Sequence, residues 1–124
     1  MFKSAVMEDN NIVKIEIRNG EFYDFYESPP ENLLRCVGYV FIIARKQPGT
    51  MIHDFLYIGT SNDLPRLLKN RQVKTFVMRN QATHTLVFRV DAQDEMEMIK
   101  EEIIEKYPSI KQDLRLRRSN KVCA

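Results

Sequence analysis

Cysteine is scarce in this chain. Cys36 and Cys123 are the only two in 124 residues, and no Cys-x-x-Cys pair occurs. A disulfide framework in a short secreted chain needs several more, so Cys36 reads as a core thiol and Cys123 as a stray terminal one. Histidine is equally scarce. His53 and His84 stand alone in loop-like or strand-edge surroundings. A zinc site needs about four N, S or O ligands in close array, and none is visible. No apolar run approaches the ~20 residues of a membrane span. Met1 to Asn10 lack the basic-then-apolar order of a signal peptide. The expected compartment is the cytoplasm, or the nucleus in a eukaryote, with no membrane partner. Internal repeats and low-complexity segments are absent. Neither sign of charge dominates: 19 Lys+Arg against 17 Asp+Glu leave +2, so the total says little about partners.

What is present is one compact domain's worth of patterned sequence. Ile12 to Arg18 alternates apolar and polar, Asn19-Gly20 follows, and Glu21 to Tyr26 resumes. Alternation around Asn-Gly predicts a β-hairpin. Ser28-Pro29-Pro30-Glu31 closes it and can cap a helical turn. Cys36 to Ala44 is a nearly continuous apolar run, as expected of a strand covered on both faces. Phe55 to Gly59 is its antiparallel partner across an Arg45–Thr50 loop. Asn62 or Asp63 can cap a helix with Pro65 in its first turn, running to about Asn70. Val73 to Met78 is ambiguous between helix and strand. Thr83 to Val90 has the β-branched character of another strand. A helix opens at Asp91 or Asp94, carries a Met96, Ile99, Ile103, Ile104 stripe, and ends at Tyr107-Pro108.

Charge is segregated along the chain. Arg66, Lys69, Arg71, Lys74 and Arg79 come with no acid among them, and Asp91 to Glu105 holds seven acids against Lys100. The basic block either follows phosphates or is a solvated helix face balancing its acidic neighbour.

A strand with Tyr39, then a strand with Tyr57-Ile58-Gly59, a helix, a strand and a helix with glutamates: this order resembles the GIY-YIG nuclease family over about residues 36 to 110. Tyr57-Ile58-Gly59 matches the second signature. Val37-Gly38-Tyr39 stands where Gly-Ile-Tyr is expected, so Tyr39 matches and the leading glycine does not. The resemblance implies an α+β fold, a small three-stranded antiparallel sheet flanked by helices. The N-terminal β-hairpin (residues 1–30) is then an extension of a domain at 31–110, and 111–124 is a basic, disordered tail. It also implies a mechanism: a tyrosine that helps activate water, an arginine that clamps phosphate, and a glutamate that holds one divalent metal.

This chain departs from the family at both charged positions. Counting ten residues on from Tyr57 reaches Leu67, with Arg66 one residue earlier, a rotation of ~100° about a helix. Lys100 takes the place of the metal-binding glutamate, with Glu101 beside it. A leucine cannot clamp phosphate, and an ammonium cannot hold a metal. The leading expectation is therefore a nucleic-acid-associated domain with impaired or absent nuclease activity. It binds DNA rather than RNA through Tyr57, Gly59, Arg66, Lys69, Arg71 and Lys74. One alternative is an active endonuclease hydrolysing DNA phosphodiesters with Tyr39, Tyr57 and Arg66, and with Mg²⁺ or Mn²⁺ on Glu101. Another is a non-catalytic protein-interaction module that offers the hairpin edge to a partner.

Overall fold

The computed structural model describes residues 12–27, 32–50 and 52–111. The Ser28–Glu31 turn and the tail beyond Lys111 lie outside the described residues. Strands β1 (Ile12–Arg18) and β2 (Glu21–Glu27) form the expected hairpin. Gly20 sits at its turn with φ of 78°, a conformation that costs glycine little. Strands β3 (Tyr39–Lys46) and β4 (His53–Ser61) pair antiparallel. Helices α1 (Leu64–Leu68) and α2 (Arg71–Arg79) follow, then β5 (His84–Arg89) and α3 (Gln93–Lys106).

The five strands form one sheet in the order β1-β2-β5-β3-β4, antiparallel throughout. The expected three-stranded GIY-YIG-like sheet with an appended hairpin is thereby overturned. The described residues fold as a five-stranded curled sheet, a half-barrel, with three helices. The physical reason lies in β5. One of its edges pairs with β3 and the other with β2, through Tyr26↔Val87 and Glu27↔Leu86. The hairpin's Ile15 and Phe25 are buried in the same core as Leu86, Met96 and Ile103. Burying such side chains stabilises by ~1.5–3 kcal/mol each, so the hairpin docks and extends the sheet.

Two apolar layers sandwich the strands. The concave layer holds Ile15, Phe25, Val40, Ile42, Ile58 and Leu86 against Met96, Ile99 and Ile103 of α3. Helix α3 touches both β1 and β4. These are the two ends of the strand order, so the sheet wraps around the helix. The opposite layer holds Phe41, Ile43, Tyr57 and Val87 against Leu64, Val73 and Phe76 of α1 and α2. Strand β3 is buried from Tyr39 to Ala44, as its apolar run requires.

Strand β4 is irregular. Ile43 faces Tyr57, yet the next residue, Ala44, faces Phe55, so Leu56 is an extra residue in the ladder. A bulge of this kind re-aims the side chains beyond it. Tyr57 and Leu56 both pack into the α1–α2 layer, while Ile58 and Phe55 both belong to the concave layer. The outer edge of β4 at the bulge is met by Lys111. Its N–H donates to Leu56 O at 3.2 Å, and its carbonyl accepts from Ile58 N at 3.0 Å.

Cys36 is not a core thiol. It is exposed in the loop before β3 with φ of 61° and is disulfide-bonded.

Candidate functional site

The residues of the expected nuclease site do not converge. Tyr39 and Tyr57 are both buried in the α1–α2 layer. Their registers, Tyr39↔Ser61 and Tyr57↔Ile43, put the Phe41↔Gly59 pair between them. The Tyr39 hydroxyl accepts from Leu34 N at 3.2 Å. The Tyr57 ring packs against Phe41 and Phe76, at centroid distances of 5.8 and 5.9 Å. Gly59 has a packing role. A Cβ there would stand 3.0 Å from both Phe41 Cζ and Tyr57 Cε2. Leu67 packs on the layer that contains the tyrosines. Lys100 and Glu101 ride on α3, which covers the other face of the sheet. Lys100 Nζ pairs with Glu97 at 3.2 Å, and Glu101 is exposed. The sheet thus separates Glu101 from Tyr39, Tyr57 and Arg66.

The basic residues form a surface of their own. Arg66, Lys69, Arg71, Lys74 and Arg79 are all exposed on and between α1 and α2. Among the described residues none of the five joins an ion pair. The chain has no acid from Leu64 to Val90. Two short helices build this surface: the helix expected to run to about Asn70 ends at Leu68, and the ambiguous Val73–Met78 stretch is helical, within α2. Asn70 breaks the run in an extended conformation, and its side chain accepts from Gln72 N at 2.7 Å, capping α2. On the same side of the sheet Phe22 and Tyr26 stand on β2, 50% and 46% exposed.

A second cluster was not anticipated from the sequence. Glu27 at the end of β2, His53 at the start of β4 and His84 at the start of β5 present one donor atom each within 4.8 Å of one another. His53 Nε2 lies 2.8 Å from Glu27 Oε2, and His84 Nε2 lies 3.8 Å from the same oxygen. The imidazoles meet edge-on at 5.7 Å between centroids. A carboxylate only accepts, so Nε2–H of His53 is the donor in the short contact. His84 Nδ1 lies 2.7 Å from Thr83 Oγ1, and that hydroxyl also accepts from Lys46 N at 2.9 Å. The isolated histidines of the sequence are therefore strand residues gathered at one rim of the half-barrel. Beside them an open depression of about 480 Å³ is lined by Lys46, Gln47, Thr50, Thr83 and His84. The signal was hidden because the three come from separate strands, and the bulge at Leu56 reverses the alternation that reaches His53.

No family model, no curated protein and no solved structure matches this chain.

Proposed function

We propose that the protein binds nucleic acid, DNA in the first instance, without cleaving it. The observation that carries this reading is the α1–α2 surface: five exposed cations, none of them ion-paired among the described residues, in a stretch without a single acid. Such a surface neutralises phosphates and releases counterions. Phe22 and Tyr26 on the same side support it by offering rings on which unstacked bases can lie. The separation of Arg66 from Glu101 by the sheet argues against phosphodiester cleavage by those two groups.

The test is binding of short DNA duplexes and single strands across a salt series. Binding weakens steeply with salt. Replacing Arg66, Lys69, Arg71 and Lys74 together by Ala lowers the log–log salt slope by about 3–4, near one unit per lost phosphate contact. Unchanged affinity and slope in that variant would sink the proposal. So would Mg²⁺- or Mn²⁺-dependent plasmid cleavage that disappears in both Arg66→Ala and Glu101→Ala. A strand-addition module is the second reading, favoured by β1. Its outer edge has no strand partner among the described residues. It gains if DNA neither binds nor is cut.

A further inference from the structure

We infer that Glu27, His53 and His84 form a binding site for one divalent cation of the zinc class, independent of any nucleic-acid interaction. The donor set is two imidazoles and a carboxylate, the composition of three-ligand zinc sites that leave a fourth position open. Imidazole nitrogens favour zinc and its transition-metal neighbours over Mg²⁺, which prefers oxygen alone. The spacing fits. Ligand atoms ~2.0–2.1 Å from a tetrahedral zinc lie about 3.3–3.4 Å apart. The contacts here, 2.8 Å from His53 to Glu27 and 3.8 Å from His84 to Glu27, fall on either side of that value. Rotation of side chains, without strand movement, closes the difference.

The surroundings are built to hold these groups. Each ligand is on a different strand of one sheet, and all three project from its concave side. Glu27 follows the Tyr23, Phe25 parity, His84 precedes Leu86 and Phe88, and His53 precedes Phe55. Fully buried Ala44 lies between β5 and β4 at this level, facing His84 and Phe55. Its single methyl leaves room for the longer side chains to converge above it. Thr83 supplies the outer shell. When His84 Nδ1–H donates to Thr83 Oγ1, the Nε2 lone pair is left free for a metal, and such partners orient ligating imidazoles. In the metal-free protein the His53 Nε2–H to Glu27 bond keeps two ligands together. A cation takes the place of that proton. His84 is 31% exposed as a side chain beside the open depression, which supplies an entry path and room for water in the fourth position.

The experiment is calorimetric titration of the full chain with Zn²⁺, before and after addition of excess Mg²⁺, with thermal unfolding followed in parallel. One zinc binds per chain and saturates, Tm rises, and Mg²⁺ does not compete. His84→Ala and Glu27→Gln, both at partly exposed positions, lose the saturable binding and the Tm rise while keeping the wild-type metal-free far-UV spectrum. Thr83→Val weakens zinc ~10- to 100-fold, the range typical of outer-shell partners, and Thr83→Ser restores it. The assignment is overturned by absence of saturable binding to the wild type. It is equally overturned by unchanged affinity in both His84→Ala and Glu27→Gln, or by effective competition from Mg²⁺.

Discussion

Gly38 shows how tightly single positions are constrained. A Cβ added there would lie 2.5 Å from Val90 O and 3.0 Å from Met96 Sδ. The same two backbones are tied by Val90 N–H donating to Gly38 O at 2.8 Å. The obstacle is a backbone carbonyl, which cannot swing away as a side-chain tip can. Gly38→Ala should therefore destabilise by about 1–3 kcal/mol, the usual cost of overpacking, read as a lower urea midpoint with unchanged m-value. Gly59 is held by softer neighbours, the rings of Phe41 and Tyr57. Both glycines of the tyrosine motifs thus have packing reasons. A tripeptide signature was legible in the sequence, but its cause, a ring or a carbonyl from another strand, is a tertiary fact that no local pattern carries.

At the scale of elements, the strands were the clearest part of the sequence. Alternation in Ile12–Arg18, the apolar run into Ala44 and the β-branched stretch at Thr83–Val90 each became a strand. The end of α1 near Asn70 was legible, but the helical state of α2 was not, because Val73–Met78 left helix and strand open and Asn70 reads as a helix end as easily as a new helix start. Its cap now makes a prediction. Asn70→Ala leaves Gln72 N without its acceptor and should cost about 1 kcal/mol, seen in urea unfolding, and weaken the proposed DNA binding by misplacing Arg71 and Lys74. The metal cluster was the least legible feature. His53 sits three residues before Leu56, and one unpaired residue there inverts which face every earlier β4 side chain takes. Period-two counting from Tyr57 sends His53 to the wrong face.

The whole molecule is closed by contacts between sheet and helix. Glu102 of α3 accepts from the Tyr23 hydroxyl at 2.5 Å and pairs with Arg18, while the Tyr107 hydroxyl donates to Glu16 O at 3.1 Å. Burial first, and the bond to Glu102 second, push the Tyr23 phenol up to about 12 from 10.0. The folded state thus prefers the neutral phenol. Its contribution is complete below pH 10 and is lost as pH rises through 12. Tyr23→Phe should flatten the fall in Tm across that window relative to the wild type. The sequence placed the hairpin as an outlying extension because pairing of β2 with β5 joins residues about sixty positions apart, Glu27 to Leu86, and nothing local announces such a partner.

The meeting of Glu27 with His53 has a mechanical meaning. On a flat sheet β2 and β4 stand three strand spacings apart, ~14 Å, yet these side chains touch at 2.8 Å. The pair works as a hoop at the mouth of the half-barrel, and its closure measures the radius of the curl. A change that relaxes the arc, in β5 at its middle or in α3 within its curl, should lengthen this contact.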